Sequence, residues 1–406
     1  MTDLLWVAAV VFLIFPGAIL WRLPSVARLD LPARLPIALA GGIAIVTLLM
    51  YVYSFLHVPW TRVTVALPLI LIGAVAASAY RTVKRQPAAG NFFPTILILV
   101  FAALTVYGVA TARETCGDLV YFWGPKGQAF HYAGRIDPAF LGNPNYHLMH
   151  SDYPPLLPLL YAWASLVAHQ FSWWGALWLM PIFLAATAFA FRGLTGHPWY
   201  AALLAAILGY GYAIGMVAGA ADPLLLLFEV IGLTALALDF EVLAAIALSG
   251  AAMTKVEGAV FVALAILAYA VTRRRFSSAV RIALPAAILL ASWIGFARHY
   301  HLIDSYGMAQ GSIHPDVLGR VLKETLASAS YGVAWVPWLA PIALLIIHRN
   351  FRPALLPLIV AAGTFLTTVF YYLHSESPDW WIAASAQRVL LTPLACLVVA
   401  TAIRSE

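Results

Sequence analysis

Apolar residues fill most of this sequence in long runs, and polar residues are confined to the short stretches between them. A helix that crosses a bilayer needs about 17 to 25 residues, most of them apolar. About thirteen runs approach that length, from Leu4–Trp21 at the start to Ala383–Ala402 at the end. The pattern predicts an all-α polytopic membrane protein with about 13 transmembrane helices.

The composition supports a membrane protein and excludes a soluble domain. Of the 406 residues, 63% are hydrophobic and 10% are charged, whereas an ordinary soluble domain has about 25% charged residues. The net charge of +6 is better explained as a signal for membrane orientation than as a surface for nucleic acid, and we expect no nucleic-acid partner. Two cysteines, Cys116 and Cys396, make no disulfide framework. The first run lacks a basic leader and a cleavage site, so we expect it to be retained as a helix.

Basic residues indicate the orientation, because lysine and arginine concentrate in cytoplasmic loops. Four basic clusters occur, at positions 22, 28 and 34, at 81, 84 and 85, at 273–275, and at 349 and 352. All four fall on the cytoplasmic side only if the apolar run Pro154–His169 does not cross the membrane. We therefore expect the N-terminus outside, the C-terminus inside, and an interfacial or re-entrant helix at this run.

This predicted membrane topology divides the chain into five segments. We expect transmembrane helices at 1–112, an outer loop with an interfacial helix at 113–170, a central transmembrane module at 171–297, a second outer loop at 298–330, and C-terminal transmembrane helices at 331–406.

The first outer loop carries the most promising chemistry. Asp118 lies six residues after the end of an apolar run, at the expected membrane surface. Loops of this length are usually functional or disordered, and a high density of aromatic residues argues against disorder. An aromatic belt at the membrane interface would also explain the rings. The aromatic residues are Tyr121, Phe122, Trp123, Phe130, Tyr132, Tyr146 and Tyr153.

Three residues near the end of this loop have spacing that suits a divalent cation. They are His147, His150 and Asp152, and imidazole and carboxylate groups are common metal ligands. Three such residues in one loop are weak evidence for a metal. The cofactor therefore stays unknown, with a divalent cation as the alternative to none.

Several polar residues interrupt later apolar runs on the same expected side. Asp222 precedes Pro223, which fits a helix N-cap, and Glu229 lies two turns further along the same helix face. Lys255 follows an unusually short apolar run and precedes Glu257. The two form either a buried ion pair or a site where the lysine meets an anionic group.

Arg388 lies at the start of the last apolar run. An arginine at this depth either extends to the interface or binds a phosphate group, for which its guanidinium is well suited.

These residues form motifs that resemble those of the GT-C superfamily of integral-membrane glycosyltransferases. The chain is most similar to the bacterial branch related to the dolichyl-phosphate-mannose-dependent protein mannosyltransferases of family 39. The matching segments are GDLVYFWGPKGQAF, HSDYPPLLPLL, MTKVEG and a terminal tryptophan seven residues before an arginine, and together they cover residues 117 to 391. Gly127 stands where the family often has alanine. Three runs precede the one before the large loop, where many members have none.

The resemblance implies a GT-C-like bundle that uses a polyprenyl-phosphate-linked sugar donor. It implies that Asp118 is the catalytic base and that Asp222 is the second acidic position. The acceptor would be a lipid, a glycan or a protein, and membrane lipids would be further partners. It also implies the cytoplasmic membrane of a bacterium, with the active site facing the periplasm or exterior. The expected substrate-binding residues are Trp123, Lys126, Asp152, Tyr153, Asp222, Lys255, Glu257 and Arg388.

The expected chemistry needs a single carboxylate. A polyprenyl phosphate leaves as a stable anion, so it needs no protonation, unlike the leaving group in a glycosidase. One general base for the acceptor hydroxyl is enough, and a direct displacement would invert the anomeric carbon. Lys126, Lys255 and Arg388 are the candidates to stabilise the phosphate charge.

Two other classes stay open. A lipid or sugar transporter would show internal repeats and helices broken near the midplane, and we find no convincing repeat. A non-catalytic subunit of polysaccharide assembly would tolerate the loss of Asp118.

Overall fold

The computed structural model describes residues 2–78, 92–111, 117–214, 217–302, 313–329, 335–348, 351–374 and 377–403. These residues are almost entirely helical, and no β-strand occurs among them. The basic positions 81, 84, 85 and 349 lie outside the described residues, as does Cys116.

Seventeen helices of ten or more residues are described, and we number them in chain order. The first nine are α1 Thr2–Val11, α2 Leu31–Phe55, α3 Arg62–Ser78, α4 Phe92–Thr111, α5 Gly124–Ala133, α6 Leu156–Ala168, α7 Trp173–Thr195, α8 Pro198–Ile214 and α9 Asp222–Ala237. The next eight are α10 Glu241–Thr254, α11 Val256–Arg273, α12 Phe276–His299, α13 Leu318–Ala329, α14 Val336–His348, α15 Leu355–His374, α16 Pro378–Val389 and α17 Leu391–Ala402.

Eight helices among the described residues are long and apolar enough to cross a membrane, as expected of a polytopic membrane protein. Two of these combine shorter elements, Thr2–Arg22 at the start and Pro378–Ala402 at the end. Four further apolar helices, α3, α6, α10 and α14, are shorter. The all-helical class is confirmed, and the count of about thirteen spans stays a prediction.

The bundle has a basic end, where residues of two of the four predicted arginine clusters lie close together. Arg192 at the end of α7 pairs with Asp30 before α2. The guanidinium of Arg28 lies 4.9 Å from the ring centre of Phe240, and Arg273 donates to a backbone carbonyl at the end of α9. Side chains from distant parts of the chain therefore gather at one end, as the orientation argument requires.

The opposite end, which we call the cavity end, holds the predicted site. The helix α9 begins there, α10 ends there, and α11 begins there. Asp118, Asp222, Lys255 and Arg388 line one cavity at this end. Which end faces the cytoplasm remains a prediction from the arginine clusters.

Small residues let the N-terminal helices pack closely. A β-carbon on Gly17 would lie 1.7 Å from the carbonyl oxygen of Ala38, and one on Gly42 would lie 1.8 Å from that of Leu13. Close backbone approach through glycine is common where helices associate without a hydrophobic driving force from water. Asp30 caps the N-terminus of α2, because its side chain accepts a hydrogen bond from the backbone N–H of Ala33.

Helix α6 occupies the run that was predicted to be an interfacial or re-entrant helix. Its 13 residues span about 20 Å, which is too short to cross the hydrocarbon core. An interfacial helix exposes one face, whereas α6 is enclosed by α1, α2 and α5 on nearly all sides. Two of its rings are tied to neighbours, because Tyr161 donates to the carbonyl of Gly219 and Trp163 to that of Ala9. The helix therefore supports the site from within the protein.

The segment predicted as a second outer loop ends in a helix. Residues 303–312 lie outside the described residues, and α13 follows them. Helix α13 packs on α16 at the cavity end, where Arg320 and Asp379 form an exposed ion pair of 3.5 Å.

Candidate functional site

The predicted base Asp118 stands directly before an irregular helical turn. The segment Leu119–Trp123 is a π-helical turn that leads into α5, and such turns are frequently found at functional sites. The turn buries Leu119 and Trp123 and leaves the Asp118 side chain 15% exposed. The carboxylate therefore sits at the edge of the protein interior, within reach of a ligand.

Asp118 contacts a residue that lies 270 positions away in the sequence. Arg388 Nη1 on α16 donates to Asp118 Oδ2, and it lies 4.0 Å from Asp222 Oδ2. Of the three cations that the sequence analysis proposed, Lys126, Lys255 and Arg388, the one that contacts the predicted base is Arg388.

Lys255 completes the charged cluster from the opposite side of Asp222. Its Nζ lies 3.4 Å from Asp222 Oδ1 and 2.9 Å from Glu257 Oε1. The backbone at Lys255 is extended between α10 and α11, so the helix is interrupted where the lysine turns toward Asp222. The cluster contains Asp118, Asp222, Lys255, Glu257 and Arg388, and Asp222 lies between its two cations.

A cavity of about 540 Å³ opens over this cluster, a volume typical of small-molecule sites. One wall comes from the first outer loop and contains rings predicted from the sequence, Trp123 and Tyr153. The indole N–H of Trp123 is buried, with no hydrogen-bond partner among the described residues.

The other wall was missed by the sequence analysis. It is formed by hydroxyl and aromatic side chains of α15 and α16, namely Thr364, Thr367, Thr368, Tyr371, Tyr372, Trp380, Trp381 and Ser385. Positions 364, 367, 368 and 371 repeat at intervals of three and four residues, which places them on one helix face. That spacing was the available signal.

Glu229 lies at the inner part of the cavity. Its side chain is buried, and its Oε2 accepts a 2.6 Å hydrogen bond from Thr392 Oγ1. Its Oε1 is buried and makes no hydrogen bond within the described part of the chain. The sequence analysis placed Glu229 on the helix face of Asp222 but did not include it among the expected site residues.

Lys126 and Asp152 are near the cavity without lining it. Lys126 is 2% exposed, and its Nζ donates a 2.6 Å hydrogen bond to the carbonyl of His150. The ammonium lies 5.0 Å from the ring centre of Trp123 and 5.7 Å from that of Tyr153. Burial lowers the pKa of Lys126 to about 7, and the nearby Asp152 offsets part of that effect. Lys126 therefore holds the aromatic wall from behind.

His150 faces rings and cations. It stacks on Tyr153 with ring centres 4.7 Å apart. Burial, together with the charges of Lys126, Lys255 and Arg388, lowers the pKa of His150 to about 3. The predicted metal group included His147, whose side chain lies outside the described residues. Among the side chains that the structure describes, no three His, Cys, Asp or Glu are grouped as metal ligands.

Comparisons of the chain with protein-family models, with curated proteins and with solved structures found no match in any of the three.

Proposed function

We propose that this protein is an inverting glycosyltransferase that moves a sugar from a polyprenyl phosphate to an acceptor hydroxyl. The observation that carries the proposal is the contact between Asp118 and Arg388 at the cavity. It joins the one carboxylate that the chemistry needs to a cation suited to the donor phosphate. The sequence resemblance to the GT-C superfamily supports the same assignment.

The two cations of the cluster are placed to bind the donor phosphate. Arg388 and Lys255 both contact Asp222, so one carboxylate orients both of them. When the donor binds, its phosphate competes with Asp118 for the guanidinium of Arg388. Charge on the phosphate increases as the sugar leaves, and fixed cations stabilise that change without reorganisation.

Asp118 then acts as the general base. Its carboxylate accepts the proton of the acceptor hydroxyl while the acceptor oxygen bonds to the anomeric carbon. The bond between that carbon and the phosphate oxygen breaks, and its electron pair leaves with the polyprenyl phosphate. Since nucleophile and leaving group occupy opposite faces, the configuration inverts. The aromatic walls provide apolar faces for the sugar ring and, in Trp123, a hydrogen-bond donor.

The direct test is a transfer assay with the full-length protein in vesicles. The donors are polyprenyl-phosphate-linked hexoses and pentoses whose sugar carries a label. Extracted envelope lipids and glycans are supplied as acceptors. We expect free polyprenyl phosphate to accumulate in proportion to labelled product. The variant Asp316→Asn, which changes an exposed aspartate outside the cavity, should match the wild type.

Movement of intact donor across the vesicle membrane, without cleavage, would show a transporter instead. Absence of both cleavage and movement, in protein that binds donor, would favour a non-catalytic subunit.

A further inference from the structure

A second cavity lies away from the charged cluster, as an apolar groove between α2, α10 and α12. Its volume is about 630 Å³. The side chains along it are almost all aliphatic, and Leu156 and Leu159 of α6 close it from behind. The groove-lining residues on α2, α10 and α12 include Ala44, Ile45, Leu48, Ala245, Ile246, Ile282, Pro285 and Leu289. We call this cavity the apolar groove.

The apolar groove follows α10 from the basic end toward the cavity end. Glu241 and Arg281 line its mouth, and Tyr51 and Met253 line its inner limit. Twelve helical residues separate Glu241 from Met253, which corresponds to about 18 Å. One leaflet of the hydrocarbon core is about 15 Å deep. The groove is therefore long enough to hold an acyl chain, which fills about one leaflet.

The mouth of the groove carries an accessible cation. The Arg281 side chain is 69% exposed, and its Nη2 lies 3.3 Å from Glu241 Oε2 and 2.9 Å from Ser278 Oγ. Both contacts use one of the three guanidinium nitrogens, and a guanidinium has five N–H donors. Basic pockets between membrane helices can bind the headgroups of anionic lipids.

We propose that the apolar groove binds an anionic phospholipid from the leaflet at the basic end, with its phosphate at Arg281 and an acyl chain between α10 and α12. The chemistry of the two parts matches such a lipid, since the mouth carries the exposed guanidinium of Arg281 and most of the interior is aliphatic. A polyprenyl-phosphate donor does not fit this arrangement. Its phosphate belongs at Arg388 and Lys255 at the cavity end, opposite the groove mouth. The exclusion of the donor from the groove rests on the proposed function, whereas the lipid measurements below do not depend on it.

The test measures thermal unfolding of the purified full-length protein in detergent as lipid is added. The probes are phosphatidylglycerol, which is anionic, and phosphatidylcholine, which has no net charge. We expect phosphatidylglycerol to raise the midpoint at a concentration about fivefold lower than phosphatidylcholine does, as one cation near a lipid headgroup predicts. Arg281→Gln should remove this preference, whereas Arg274→Gln, which removes an exposed charge at the same end, should retain it.

A second pair of variants tests the acyl chain. Ala245→Trp fills the groove and should abolish the response to both lipids, whereas Ala103→Trp, on an exposed face of α4, should respond as the wild type does. Leu48→Trp, at the exposed lip of the groove, replaces Ala245→Trp if that variant does not fold.

Three results would overturn the proposal. They are an equal response of the wild type to both lipids, an equal loss in Arg274→Gln and Arg281→Gln, and an unchanged response when the groove is filled. Displacement of phosphatidylglycerol by low concentrations of polyprenyl phosphate would assign the groove to the donor tail instead.

Discussion

Arg388 on α16 donates a hydrogen bond to Asp118, which lies 270 residues earlier in the sequence, just before the turn that leads into α5. The same guanidinium lies 4.0 Å from Asp222. An arginine that faces two carboxylates is held in place before any ligand arrives. A phosphate at this position would therefore replace one carboxylate as its partner and would not have to order a flexible side chain.

This relationship predicts how Arg388 variants behave. Arg388→Met removes a charged hydrogen-bond donor to the phosphate, so the donor concentration for half-maximal transfer should rise about tenfold or more. Arg388→Lys keeps the charge but loses the planar pair of donors. Its donor concentration for half-maximal transfer should lie between those of the wild type and of Arg388→Met. The measurement is transfer rate against donor concentration. An unchanged requirement in Arg388→Met would exclude a contact with the donor.

The ion pairs of Lys255 predict a large effect on stability. Lys255 is buried between Asp222 and Glu257. Lys255→Met leaves buried carboxylate charge without its cation, so we expect a loss of about 3–5 kcal/mol in the free energy of unfolding. Arg320→Met removes a cation from an exposed pair and should cost at most about 1 kcal/mol. Denaturant unfolding in mixed micelles compares the two, and equal small effects would mean that Lys255 is not structurally required.

The charged cluster was accessible to sequence analysis, and the opposite wall was not. Charges within apolar runs are costly and therefore conspicuous, which is why Asp222, Lys255 and Arg388 stood out. Threonines on α15 are inconspicuous for a physical reason. Thr364 and Thr368 bond to carbonyls of their own helix, so they can occupy a membrane helix at little cost. Their role appears only when α15 is placed beside the cavity.

The direction of the Lys126 side chain could not be predicted from the sequence either. Lys126 lies three residues after Trp123, on α5. No pattern in the sequence indicated which way this helix faces. The structure turns the Lys126 side chain toward the His150 carbonyl. The enclosed state of α6 was missed for a similar reason, because an apolar helix of 13 residues looks the same whether lipid or protein surrounds it.

Burial of Lys126 predicts a pH dependence of stability. Its pKa is about 7 in the folded protein and about 10.4 in the unfolded chain. Between these values the unfolded state binds more protons than the folded state, so stability should rise with pH from about 7 to 10. One proton contributes at most about 1.4 kcal/mol per pH unit. Lys126→Met should flatten the rise, as measured by unfolding at several pH values, and an unchanged slope would contradict the assignment.

The two ends of the bundle predict opposite accessibility. Single cysteines are introduced at Asp137, at the cavity end, and at Arg274, at the basic end, in a chain whose Cys116 and Cys396 are replaced by serine. In intact cells, a membrane-impermeant thiol reagent should label position 137 and should label position 274 only after permeabilisation. Labelling of position 274 in intact cells would reverse the orientation and place the cavity on the cytoplasmic side.

The central claim is that Asp118 is the general base for sugar transfer, and the most direct measurement compares Asp118→Asn with the wild type. Asparagine keeps the size of the side chain but does not accept the proton, so turnover should fall at least about a hundredfold. Donor binding should remain, because the lost interaction belongs to the transition state. A purified Asp118→Asn variant with near wild-type turnover at saturating donor would contradict the claim, and Asp222 would be the next carboxylate to test.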